Sequence, residues 1–179
     1  MISGLIPHRY ARALFKFAGD TGKQKEVYAE MNNVIEVFRT NPGMERVLSN
    51  PFVDSDDKRR ILLAAAGEKP GNDYQRFVSL ILDHKREEFA QLMALAYRDI
   101  YRTENKISQV RITTAAQLPD EEMQKLKSVV QNAFKDRSFE WQTSVNPDII
   151  GGFIIDVDTT RMDASICNEL EQLRQNLGK

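Results

Sequence analysis

The chain has 179 residues, with 25 basic and 26 acidic side chains and a formal net charge of −1. That length suits one medium domain or two small ones, and the charge balance lacks the basic excess that drives binding to phosphate backbones or anionic membranes. One cysteine, Cys167, excludes an internal disulfide framework, and with only His8 and His84 beside it no structural zinc site of the Cys/His type can be built.

The first 105 residues read almost wholly as helix. An opening helix runs through Ile6, Tyr10, Leu14 and Phe17. Gln24 to Phe38 then places Val27, Met31, Val34, Ile35 and Phe38 at helical spacing. Asn41-Pro42 interrupts, because the residue before proline is pushed out of the helical region. A short helix around Met44, Val47 and Leu48 ends at Asn50-Pro51. Asp54 or Ser55 caps the next helix, which holds Ile61, Leu62 and Ala65. After the loop Gly67-Glu68-Lys69-Pro70-Gly71, Asn72 or Asp73 caps a helix through Leu82. The longest helix spans Arg86 to Glu104, with Phe89, Leu92, Met93, Ala96 and Ile100 on one face. Six helices joined by short loops predict a compact bundle.

Beyond Glu104 the period changes. Lys106 to Thr114 alternates around Val110 and Ile112, and Phe139, Trp141, Thr143 and Val145 alternate with polar neighbours. A helix from Asp120 to Lys135 separates these two strands, its first turn acidic as the helix dipole favours. Asn146-Pro147-Asp148 is a turn and Ile149 to Val157 a third β-rich run. A final helix follows Asp163, with Ile166, Leu170, Leu173 and Leu177 as a single stripe expected to serve as core. The predicted fold is therefore a six-helix bundle over residues 1–105, followed by a small α+β domain with a mixed sheet over residues 106–179.

Two helices carry more apolar surface than one core needs. A surface helix commonly buries a stripe of about 100°. On the first helix, Ile6, Tyr10, Ala13, Leu14 and Phe17, with their apolar neighbours, fill an arc of roughly 200°. Tyr74, Phe77, Val78, Leu80 and Ile81 do the same on the fifth. Either these helices are central in the bundle, or they wall a groove that accepts an amphipathic partner helix. The small residues Ala11, Ala13 and Ala18 would permit close approach.

Chemistry finds little support. Asp156, Asp158 and Asp163 lack the glycine and ligand spacing of a calcium loop. Ile150-Gly151-Gly152-Phe153 lacks the Lys-Ser/Thr of a phosphate loop, and glycines in a strand mark a bulge or a close backbone approach. Cys167 reads as a small packing residue, His84 as a capping or solvated residue at a helix end, and His8 as exposed. Lys58-Arg59-Arg60, preceded by Asp54, Asp56 and Asp57, reads as a self-balanced solvated face. An enzyme built on the second domain would need a nucleophile–base pair or ligand set that is not apparent. Neither a metal nor a cofactor is expected.

Arg9-Tyr10-Ala11-Arg12-Ala13-Leu14-Phe15 in the opening helix, Asn50-Pro51-Phe52-Val53 before the fourth, Ile149-Ile150-Gly151-Gly152-Phe153-Ile154-Ile155, Met162-Asp163-Ala164-Ser165-Ile166 and Leu170-Glu171-Gln172-Leu173-Arg174 together resemble the delta subunits of F-type ATP synthases, called the oligomycin-sensitivity-conferring protein in mitochondria. The resemblance spans essentially the whole chain. It implies a non-catalytic stator subunit whose helical bundle binds N-terminal helices of alpha subunits on the catalytic head, and whose second domain binds b-type subunits of the peripheral stalk. The candidate contacts for an alpha-subunit helix are Tyr10, Ala13, Leu14 and Phe17 on one wall and Tyr74, Phe77, Val78 and Ile81 on the other, with Gly151 and Gly152 as structural glycines. No nucleic acid, no membrane insertion and no homo-oligomer is expected. The expected place is peripheral, on the cytoplasmic side of a bacterial inner membrane or the matrix side of an organellar one. A helical adaptor for an unrelated amphipathic helix is the alternative.

Overall fold

A computed structural model describes residues 5–177 of the chain, with side chains for residues 5–175. The chain divides into two compact units, Met1–Glu104 and Asn105–Lys179.

The first unit holds six helices: α1 (Leu5–Asp20), α2 (Gln24–Thr40), α3 (Met44–Ser49), α4 (Ser55–Ala66), α5 (Asn72–Asp83) and α6 (Ala90–Glu104). In α1, Pro7, Ala11, Leu14 and Ala18 recur every three or four residues and are buried, and α1 packs chiefly on α6. Ala11 and Ala18 are fully buried, so the two backbones approach closely, and Phe15 fits its ring beside Tyr97 and Tyr101 of α6 at centroid distances of 5.9 and 6.4 Å. Buried aromatic hydroxyls find carbonyls: Tyr97 Oη donates to Gln24 O and Tyr74 Oη to Leu62 O, at 3.2 and 2.9 Å. Burial pushes the phenol of Tyr74 well above its ordinary pKa.

Several local expectations change. Asp54 caps α4 by accepting from the Ser55 amide, whereas the residue before α5 is Gly71, and Asp73 turns inward to accept from the Thr21 hydroxyl. The helix expected to be the longest starts later, because a 3-10 turn at Glu87–Phe89 precedes Ala90, and at 15 residues it is shorter than α1 and α2, at 16 and 17. Its buried face is Ala90, Met93, Ala94, Tyr97 and Tyr101, leaving Leu92 outward: the two tyrosines outcompete the aliphatic stripe for the core. Lys58 is not solvated with Arg59 and Arg60. It is buried and donates to Glu87 Oε1 at 2.7 Å, the pair tying α4 to the 3-10 turn. Such a pair offsets its desolvation only while both charges are present.

The second unit is a four-stranded sheet with two helices: β1 (Ile107–Thr114), α7 (Asp120–Ala133), β2 (Ser138–Val145), β3 (Gly152–Val157), β4 (Thr160–Ser165) and α8 (Ile166–Leu177). The strand order is β2-β1-β3-β4, with β1 parallel to β2 and the other pairs antiparallel. Alternation on β1 sends Val110 and Ile112 to one face, where they join Ile155 and Val157 beneath Val130 of α7, flanked by Leu126, Phe134 and Trp141. The opposite face is polar. Arg111 stands between Gln142 and Asp156, and Arg161 pairs with Asp156 at 2.6 Å, a row across all four strands.

β4 is absent from the sequence expectation, which passes from the Ile149–Val157 run directly to a final helix following Asp163. Thr160-Arg161-Met162-Asp163 has no apolar alternation, and as an edge strand its side chains are exposed as far as Ala164. Asp163 accepts instead from the amide and hydroxyl of Ser165.

Gly152 opens β3 at φ +76°, and a Cβ there would lie 2.1 Å from the Ala164 carbonyl oxygen of β4. Backbone cannot yield as a side chain can, so Gly152→Ala is expected to cost about 3 kcal/mol in chemical denaturation. A loss below about 0.5 kcal/mol would refute the close approach.

Glu30 of α2 is half-buried; one oxygen accepts from the Gly71 amide and Oε2 is buried with no partner. Burial raises its pKa, opposed by the Gly71 amide and reinforced by Glu26 and Asp73. The sign follows: below the ordinary value of 4.5 both folded and unfolded chains hold the proton, and above it the folded chain alone retains it, so this group removes stability as pH rises through the folded pKa. Glu30→Gln is expected to flatten the fall in urea midpoint as pH rises above 4.5. Parallel profiles for variant and parent would show that Glu30 is not the source.

Candidate functional site

α1 and α5 each bury one face and leave part of a second one open. On α1, the spacing i, i+3, i+7 puts Tyr10, Ala13 and Phe17 about a quarter turn away from the buried row of Ala11 and Ala18. On α5, Tyr74, Val78 and Ile81 form the core row, at 2, 1 and 1% exposure. The adjacent row is Asp73, Arg76, Phe77 and Leu80. These two outward rows face one another across an open hollow of about 340 Å³ lined by Tyr10, Ala13, Leu14 and Phe17 on one side and Asp73, Arg76, Phe77 and Leu80 on the other.

The structure thus brings together five of the eight expected contacts. Tyr10, Ala13, Leu14, Phe17 and Phe77 line the hollow, Leu14 and Phe77 as its nearly buried floor. Tyr74, Val78 and Ile81 do not reach it; they are committed to the bundle core. The wall they were expected to form is made by Leu80, 42% exposed, with Arg76. Leu80 belongs to the same apolar arc, and only the rotation of α5 about its axis, set by tertiary packing, separates it from Ile81.

A second hollow continues the first. It is lined by Ile6, Arg9, Tyr10 and Ala13 of α1 and by Leu80, His84 and Arg86. Tyr10, Ala13 and Leu80 border both, so one groove runs along α1 from Ile6 to Phe17, about 17 Å at 1.5 Å per residue, or three turns of a helix. At one end Tyr10 meets the His84 ring edge-on at 6.3 Å, and His84 Nδ1 lies 2.8 Å from Leu80 O at the end of α5. At the other, the Arg76 guanidinium lies over the Phe17 ring at 5.9 Å.

The second unit exposes a different apolar surface. Ile166, Leu170 and Leu173 recur along α8 and are 43, 52 and 57% exposed. The stripe expected as core is not consumed: α7 already covers the apolar face of the sheet, the other face is polar, and α8 rests on β4 and the Pro147–Ile149 turn. Leu177 lies outside the described side chains. Gly151 is where Ile166 meets the turn, since a Cβ there would stand 2.6 Å from Ile166 Cδ1. Cys167 is exposed rather than packed.

Among the described residues, no group of three or more His, Cys, Asp and Glu side chains is placed to hold a metal ion. Asp156 pairs with Arg161. Asp158 accepts from the Gln109 amide and from Arg137. No helix among them is long and apolar enough to cross a membrane.

The model of the ATP synthase delta (OSCP) subunit family matches residues 6–177. The chain is 36% identical over 177 residues to ATP synthase subunit delta of Parabacteroides distasonis, covering 97% of this chain and 96% of the relative. It is 33% identical over 176 residues to ATP synthase subunit delta of Phocaeicola vulgatus, covering 98 and 95%. Its fold is similar to a chain in a cryo-EM structure of the Toxoplasma gondii mitochondrial ATP synthase hexamer, with a TM-score of 0.68 at 19% identity and 97% coverage of both chains. A six-helix bundle followed by a small α+β unit, the groove between α1 and α5, and a family match over nearly the whole length lead to one conclusion: the chain belongs to the ATP synthase delta (OSCP) subunit family.

Proposed function

We propose that this chain is the stator subunit that ties the catalytic head of an F-type ATP synthase to its peripheral stalk, that it catalyses nothing itself, and that each of its two units supplies one attachment. The observation that carries this reading is the presence of two outward apolar surfaces, the α1/α5 groove and the α8 stripe, on separate folded units. Rotation within the head is useful only if the head itself cannot turn, so the tie must resist torque, and two attachments suffice without any reaction. The groove takes an N-terminal helix of an alpha subunit, laid along Tyr10, Ala13 and Phe17 with its apolar side chains on Leu14, Phe77 and Leu80. The α8 face takes a b-type stalk subunit. The protein is peripheral, on the cytoplasmic side of a bacterial inner membrane (the matrix side in an organelle), and reaches the membrane only through its partners.

The magnitudes fit a modest single contact. A three-turn helix burying three or four large side chains gains about 1.5–3 kcal/mol from each, against an association cost of about 4–15 kcal/mol. One groove alone therefore holds weakly to moderately, and attachment through a second surface raises the effective concentration of both.

Ala13 is exposed at mid-groove, so Ala13→Asp places a charge on the seat of the partner helix without touching the core. The expected result in titration calorimetry is a loss of about tenfold or more in affinity for an alpha-subunit N-terminal peptide. Unchanged affinity with an intact circular dichroism spectrum would exclude the groove. Leu170→Asp with Leu173→Asp is expected to abolish capture of the b-type subunit while leaving the thermal midpoint within a few degrees of the parent, because both side chains are already in water. Full capture by this variant would move the stalk contact elsewhere.

A further inference from the structure

The charged groups at the groove are not balanced. Arg9 and Arg86 stand at one end and Arg76 at the other, and among the described residues none of the three has a carboxylate within salt-bridge distance. Among the described residues the one carboxylate that lines the groove, Asp73, is 5% exposed and turned toward the Thr21 hydroxyl, so the exposed charges at the rim are the arginines. The charge that the groove presents to an incoming helix is therefore positive at both ends, above an apolar floor. This stands out in a chain whose net charge is −1.

We infer that the helix seated in this groove is acidic on its flanks, with carboxylates about two turns apart that reach Arg9 and Arg86 at one end and Arg76 at the other. The inference rests on the groove being a helix-binding site, as proposed above, and adds the chemistry that selects its occupant. The spacing comes from α1. Arg9 lies eight positions before Phe17, the ring over which Arg76 sits, and eight residues rise about 12 Å, matching positions i and i+7 or i+8 of a helix laid alongside. Arginine suits the task, since its planar fork can bind a carboxylate through two parallel bonds while its face stays on an aromatic ring. Arg76 is already held that way over Phe17. A helix with the same apolar stripe but basic flanks would meet like charge at both ends, so the rim excludes wrong partners as well as holding the right one.

The test uses three synthetic helical peptides of about 14 residues with an identical Leu/Ile stripe, carrying Glu, Gln or Lys at the two flank positions, titrated into the full chain by calorimetry. The Glu peptide is expected to bind about tenfold more tightly than the Lys peptide, with the Gln peptide between, and the spread should shrink in about 0.5 M salt. In the variant Arg9→Gln, Arg76→Gln, Arg86→Gln the three affinities should converge on that of the Gln peptide. Equal binding of all three peptides to the parent chain would overturn the acidic-flank assignment and leave the groove reading intact. Binding by none of them would overturn both. A Glu preference that survives in the triple variant would assign it to other side chains and overturn the role of these three arginines.

Discussion

The close approach of α1 to α6 is the contact on which the first unit and its groove depend. Ala11 and Ala18 carry only a methyl group, which brings the two helix backbones near enough for Phe15 to reach Tyr97 and Tyr101. Once those rings are engaged, α1 cannot rotate about its axis, and Tyr10, Ala13 and Phe17 are left facing outward. A larger residue at position 11 or 18 would push α1 away and loosen that choice. Tyr97 extends the same constraint to the next layer, because its hydroxyl holds the first turn of α2 through Gln24 O. The groove is therefore a consequence of core packing rather than an addition to it: Leu14 and Phe77 of the core form its floor, and Tyr10, Ala13, Phe17 and Leu80 are the apolar side chains that the core, once formed, leaves at its rim.

The second unit solves a related problem differently. A sheet with one helix-covered face needs its other face to be wet, and the row Gln142, Arg111, Asp156 and Arg161 does this with groups that bond one another. Only one apolar face is then available, and α7 fills it with Val130 and its neighbours. Beyond β4 and the Pro147–Ile149 turn, where Ile166 meets Gly151, the described residues leave Ile166, Leu170 and Leu173 about half exposed. The hairpin of β3 and β4 places α8 through the contact at Gly152, where the strands come closer than any side chain at that position would allow.

Much of this is legible in the sequence, and the failures share a cause. Helical and alternating periods identify six helices, three strands and both later helices, because those patterns record which side is dry. They do not record which of two dry sides is drier. On α5 the arc from Tyr74 to Leu82 is apolar throughout, and the assignment of Ile81 to the core and Leu80 to the groove is made by neighbours distant in sequence. The same limit explains Leu92 against Tyr97 on α6, and the exposed stripe of α8, whose spacing is what a core helix would show. β4 fails for the opposite reason: an edge strand lined by Thr160, Arg161 and Asp163 has no dry side to record. Lys58 was hidden because its partner Glu87 lies 29 positions away, so that a charge run beside aspartates looked self-sufficient.

A pattern that cannot distinguish core from interface is itself informative when the surplus is counted. A stable unit needs one buried face per surface helix, and any regular apolar face beyond that must be covered by something or left as a liability. In this chain the surplus falls on α1 and α5 together and on α8 alone. Between α1 and α5 the two rows converge on one groove, which has a floor, two walls and a charged rim, and in the stator reading proposed above these features set the shape and charge of the helix that fits it. The α8 stripe is a single exposed row on one helix, with Glu169, Glu171 and Arg174 exposed among its apolar side chains. Arg9, Arg76 and Arg86 have no carboxylate within salt-bridge distance among the described residues, and Arg76 instead lies over the Phe17 ring; in the stator reading proposed above, their charge is what the groove offers to an incoming helix.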